Sequence, residues 1–249
     1  PIRATFIGDS RYNDRIANSI GEEHMAKSLA LDKQFLARLL EINRDDLGYQ
    51  DQLSYDLFRI DLEQDIEGDQ FPGHLQPIQQ FGSMMSFMVQ LGSGTSAHPF
   101  KTVKDYEDWL SRIDDFGVWA DQAMANMREG MQADVVQPRV LIEKAVPQLK
   151  SQIVENIEES NFYKPILNMP DDFSDEDRER LTAALEDAIA NKIIPAYERV
   201  HNFVGDDYLS SARETVGLSV LPNGEAWYAY NVRVRTTTDL TPDEIHQIG

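Results

Sequence analysis

Five histidines, His24, His74, His98, His201 and His246, are the first side chains in this 249-residue sequence that could do metal or acid–base chemistry. No two stand at helical ligand spacing and none is followed by Glu, so the HExxH helix of zinc peptidases is absent. With no cysteine there is no thiolate metal site, cysteine nucleophile or disulfide. Gly92-Ser93-Gly94-Thr95-Ser96 has the glycines of a phosphate loop, but no lysine follows and Pro99 comes instead. It is not a GxSxG elbow either, so it reads as a turn. Asp171, Asp172, Asp175, Glu176 and Asp177 crowd around Ser174 and invite a calcium reading. They lack the alternation and central glycine of an EF-hand loop. Carboxylates in a helix's first turn are favoured by the macrodipole, and a solvated helix start is the expectation. Paired carboxylates for glycoside chemistry cannot be chosen from 43 acidic residues on sequence alone.

The elements that would position these groups read as helices. Ser19 and Glu22 make a capping box, after which Met25, Leu29, Leu36, Leu39 and Leu40 recur at helical spacing. Leu53, Leu57, Ile60 and Ile66 form a second stripe ending near Gly68, and the stretch 70–80 is a loop. Phe81, Met84, Met85, Met88 and Leu91 make a short third stripe. Thr102 caps a helix whose buried face is Tyr106, Trp109, Leu110 and Ile113, and Trp119, Ala123, Met127 and Met131 suit a separate one after it. From Pro138 the spacing carries Leu141 through Leu149 to Ile157, with Pro147 as a kink. Ser174 caps the Leu181, Leu185, Ile189 helix, Pro195 kinks or splits it, and Asp206 or Asp207 opens a short helix reaching toward Gly217.

Residues 218–238 are ambiguous. Tyr228, Tyr230, Val232 and Val234 alternate as in a strand, whereas Trp227, Tyr230 and Val234 share a helical face. Helix is favoured, with a short hairpin as the alternative. Thr241, Pro242 and Glu244 start a last helix. Its brevity before Gly249 leads to the expectation that the native chain continues, leaving the Trp227–Val234 segment as an apolar face for a partner.

Composition narrows the function classes. A formal charge of −20 repels nucleic acid and anionic membrane surfaces. No apolar run reaches the ~18–20 residues of a membrane helix. No leader opens the sequence at Pro1, so any targeting signal has been removed or was never there. The fold class is therefore all-α, a multi-helix array.

Four islands go further: Gly8-Asp9-Ser10-Arg11-Tyr12-Asn13-Asp14-Arg15; the helix from Asp105-Tyr106-Glu107 to Arg112; Gln137-Pro138-Arg139; and Leu221-Pro222-Asn223-Gly224 through Thr236-Thr237-Thr238-Asp239-Leu240-Thr241-Pro242-Asp243-Glu244-Ile245-His246. In this order and spacing the chain resembles the amino-terminal part of the bacterial DUF885 family. The resemblance implies the first part of a larger helical zincin-like fold of the gluzincin type, with 1–249 either one helical domain or the front of a domain continuing past Gly249. It implies a zinc-dependent peptidase whose His-Glu and Pro-Gly-His metal motif lies downstream of the Thr-Thr-Thr island. Phe71-Pro72-Gly73-His74 echoes the second piece, but Gly68 and Asp69 stand where His-Glu would be, so no catalytic or metal residue carries over. The chain itself would need no cofactor, with zinc expected in the full-length protein. Its partners would be the downstream carboxy-terminal half, a peptide substrate, and a second copy as a further alternative. Family members are often exported or lipoproteins, which points to an exported, periplasmic or anchored protein, with the cytoplasm as the alternative. Arg139, Tyr228, Tyr230 and Arg233 match family positions and become candidates for the substrate groove, where a cationic or phenolic group binds a carboxylate. The competing class is an acidic helical binding or scaffold module without activity.

Overall fold

The structure, a computed structural model, describes residues 1–248. In chain order the helices are α1 (Ile2–Phe6), α2 (Glu22–Leu40), α3 (Tyr49–Gly68), α4 (Met84–Gly92), α5 (Val103–Gln132), α6 (Arg139–Lys150), α7 (Lys164–Leu167), α8 (Asp175–Ala188), α9 (Ile194–Asn202), α10 (Leu209–Ser211), α11 (Gly224–Thr236) and α12 (Pro242–Ile248). The only β-type pairing among the described residues is an isolated parallel bridge between Pro138 and Arg213. The fold is all-α, and residues 218–238 are helical, with α11 in place of a hairpin.

The chain divides into two compact units. The first comprises Pro1–Ile20 and His74–Val216, and α5 runs through its core. Thr102 and Asp105 close a complete capping box at the start of α5. The two helices expected between 103 and 131 are one helix of 30 residues. Gly117 is the sole weak point near the middle, and a glycine costs only about 1 kcal/mol in a helix interior. Tyr106, Trp109, Ile113, Phe116, Ala120, Ala123 and Met127 are buried along one stripe. Gly92 lets α4 approach that stripe: a Cβ there would sit 2.5 Å from the Trp109 and Phe162 rings.

Other boundaries shift for local reasons. Phe81 lies outside α4 and is exposed. Helix α6 stops at Lys150, because Ser151 turns back onto the Gln148 carbonyl and Asn156 caps a separate 3-10 turn. Ile153 and Ile157 therefore pack on the core from outside the helix. The helix runs on past Pro195 without a break: the preceding turn, Ile189–Ile193, widens to π geometry between α8 and α9. A proline lacks its N–H and its ring clashes with the carbonyl four residues back, and a wider turn absorbs both. Asp206 and Asp207 open no new helix. They lie in a second π turn, Phe203–Tyr208, which runs on from α9 and ends with α10 at Ser211.

The second unit comprises Gly21–Gly73 and the segment from Gly217 onward. Helix α2 starts at Glu22 with Gly21 as its cap, and the expected Ser19 box does not form. The chain is pinned just before it, where the Ile20 carbonyl accepts from Asn126 Nδ2 at 2.8 Å. Helices α2 and α3 pair, with Phe35 and Phe58 in ring contact at 6.4 Å and Arg44 forked onto Asp56. The start of α11 is set by backbone constraints: Asn223 sits at φ +55°, and a Cβ on Gly224 would meet the Leu218 carbonyl at 2.2 Å. Thr241 and Glu244 cap α12 reciprocally, as their spacing predicts.

Candidate functional site

Three of the four sequence candidates lie on α11. Its inward face carries Trp227 and Tyr230. Trp227 stacks on Phe71 at 5.9 Å, and Tyr230 tilts against the same ring at 5.0 Å. The Tyr230 hydroxyl donates to the Gln64 carbonyl at 3.0 Å. Burial raises its phenol above the ordinary value, with the Asp65 and Glu67 charges adding to the effect. One turn on, Arg233 pairs with Glu67 at 2.5 Å and lies 6.0 Å from the Tyr230 ring. Both groups are thus engaged by α3. Tyr228 is 47% exposed and makes no hydrogen bond among the described residues. The apolar face expected at Trp227–Val234 is thus partly covered within its own unit: Trp227 is buried and Tyr230, Val232 and Val234 are half-buried.

Arg139 belongs to the other unit. Its N–H donates to the Arg213 carbonyl at 2.7 Å, and its side chain reaches Glu214 at 2.5 Å. Beside it the Gln137 N–H donates to the Tyr208 hydroxyl at 2.8 Å, and Arg213 returns a backbone bond to the Gln137 carbonyl. The Gln137-Pro138-Arg139 island therefore splices the end of α5 to the segment after α10.

Sequence reasoning missed the most connected cation of this unit. Arg112 is fully buried on α5. It donates to the Tyr12 and Arg15 carbonyls, to Thr5 Oγ1 at 2.5 Å and to His98 Nδ1 at 3.0 Å. Thr5 passes the bond on to Asn13 Oδ1 at 2.8 Å. The first two sequence islands thus meet at one guanidinium, whose partners are all neutral. Burial brings its pKa down to about 10. His98 has both ring nitrogens in use, since Nε2 bonds the Asp105 carbonyl at 2.9 Å. Burial lowers it to about 4, and the neighbouring Arg112 charge works the same way against the Asp105 bond. A neutral, enclosed imidazole with no free nitrogen is a structural group, not a general base. The signal was available: Arg112 falls three residues after Trp109, on the buried stripe of α5.

A zinc ion does not fit these residues. Among the described residues no three His, Asp or Glu side chains are grouped to hold a metal. The acidic residues around Ser174 form a capped helix start, with Asp175, Glu176 and Asp177 in the first turn of α8.

No helix among the described residues is long and apolar enough to cross a membrane. No curated protein gives a significant match to the sequence. Among solved structures the chain is similar to one described as a "putative lipoprotein" from Colwellia psychrerythraea, at 17% identity and a TM-score of 0.83. The match covers 99% of this chain and 44% of that one, so the chain spans less than half the length of this relative. The likeness shows a shared helical fold. The profile of the bacterial proteins of unknown function DUF885 matches residues 1–249, and the chain belongs to that family.

Proposed function

We propose that the chain is the amino-terminal, non-catalytic portion of a zinc-dependent peptidase of the DUF885 type, and that it forms part of the substrate groove wall. The observation that carries this reading is the coverage: nearly the whole chain matches less than half of a longer protein of the same fold. A protein of that length has room for a metal centre outside the matched part. The relative's description as a lipoprotein supports export to the periplasm, tethered or free. In this reading zinc supplies the activated nucleophile from elsewhere in the protein, and the residues here bind and orient the peptide. Tyr228 is the candidate best placed to touch substrate, since Tyr230 and Arg233 are held by α3 and Arg139 by Glu214.

The test is to read the native gene past Gly249, express the full product, and assay peptide hydrolysis with and without a chelator. The full product should cleave peptides in a chelator-sensitive way, residues 1–249 alone should not, and Tyr228→Ala should raise KM with little change in kcat. A full product that binds no zinc and cleaves no peptide would leave the scaffold class in its place.

A further inference from the structure

A pocket of about 250 Å³ opens in the first unit where the start of α4 faces the end of α6, with Tyr197 of α9 behind it. That is the liquid volume of about eight water molecules, enough for a ligand the size of one blocked amino acid. None of its lining residues is charged, in a chain where 27% of residues are. Gln79, Gln80 and Gln148 contribute side-chain amides that make no hydrogen bond among the described residues, while Met85 and Leu149 give apolar floor. The Tyr197 hydroxyl donates to the Met85 carbonyl at 2.6 Å, so it has no donor left for a ligand.

The start of α4 is also uncapped. Ser83 occupies the cap position but its side chain makes no cap bond, and the N–H groups of the first turn have no partner. Ser83 is only 4% exposed, lines the pocket, and its hydroxyl has no hydrogen-bond partner. The hydroxyl oxygen is open to the pocket, where it adjoins the free backbone donors at the start of the helix.

We propose that this pocket binds an uncharged amide, whose carbonyl accepts from the start of α4 and Ser83, whose N–H meets the glutamine oxygens, and whose apolar side chain rests on Met85 and Leu149. A full anion would meet no cation in the lining, and a charged amine would meet no carboxylate. The assignment does not rest on the peptidase reading and would hold for a chain that cleaves nothing.

The test uses the chain with methyl-labelled methionines and three probes: N-acetyl-leucinamide, N-acetyl-leucine with its free carboxylate, and glucose. The amide should shift the Met85 methyl resonance saturably, in the low millimolar range expected for about a dozen heavy atoms. The carboxylate and the sugar should act at least about tenfold more weakly. Ser83→Ala, which removes no cap bond, should keep the melting temperature and weaken the amide about five- to tenfold. If that variant fails to fold, Gln80→Glu serves instead and should weaken the amide while leaving the melt unchanged. No saturable shift, a preference for the carboxylate or the sugar, or unchanged affinity in the variant would overturn the proposal.

Discussion

Helices α5 and α2 carry the same sequence signature, an apolar stripe at helical spacing, and reach opposite ends. Helix α5 buries 13 of its 30 residues, among them Trp109, Phe116 and Trp119. Helix α2 buries one of 19, Leu39, and α3 one of 20, Leu62. Leu31, Phe35 and Leu40 on α2 and Leu57, Phe58 and Ile60 on α3 remain exposed. Periodicity states that a helix will form with one apolar face. It does not state how much of that face the same chain will cover. The first unit is held by a dense aromatic and aliphatic core, and the second by a small one built on Leu62, Phe71, Leu221 and Trp227. Helices with few buried contacts open at lower free energy than core helices.

The contrast can be broken at its strong end first. Trp109→Ala should destabilise the first unit by about 4 kcal/mol, the usual cost of emptying a large aromatic site, and a urea melt followed by far-UV dichroism reads it. A loss under about 1 kcal/mol would show that the core of α5 is not the main support.

A somewhat smaller effect comes from His98. Its folded value of about 4 lies below the ordinary 6.5, so the unfolded chain takes up the proton first. The neutral ring's contribution is therefore present above pH 6.5 and is lost as the pH falls toward 4, by up to about 3 kcal/mol. His98→Gln keeps an acceptor for Arg112 and a donor for the Asp105 carbonyl without titrating. Its stability should be flatter over that window, and parallel pH curves for the two proteins would contradict the assignment.

In the second unit Gly224→Ala should cost about 2 kcal/mol, because the new methyl collides with the Leu218 carbonyl and α11 must shift. Hydrogen exchange should register it in α11, leaving the amides of α5 unchanged. The smallest effect is expected at Leu57→Ser, 65% exposed on α3: within about 0.5 kcal/mol in thermal unfolding. A large loss there would mean that this face is covered in solution.

Particular residues show where legibility stopped. Thr102 with Asp105, Ser174 with Asp177 and Thr241 with Glu244 all cap as their spacing predicts, because a capping box is satisfied within four residues. Ser19 with Glu22 has the same spacing and forms no box, since α2 starts at Glu22 itself with Gly21 in the cap position. Among the site candidates, the types of Arg139, Tyr230 and Arg233 suggested ligand binding, while their partners Glu214, Gln64 and Glu67 lie 75, 166 and 166 residues away in the chain.

By itself the sequence determined the helical class, most helix starts and the membership of its four islands in one family pattern. These are local properties: periodicity, caps, proline and glycine act over one or two turns. Only the tertiary structure decided that Arg112 and His98 are interior, that Tyr228 alone among the candidates has no partner among the described residues, that the helix passes Pro195 through a π turn, and that Ser83 ends unpaired beside a charge-free pocket. Each of those depends on which distant backbone carbonyl, ring or helix end arrives alongside. Burial and hydrogen-bond satisfaction are set by such long-range neighbours, and a helical period carries no information about them.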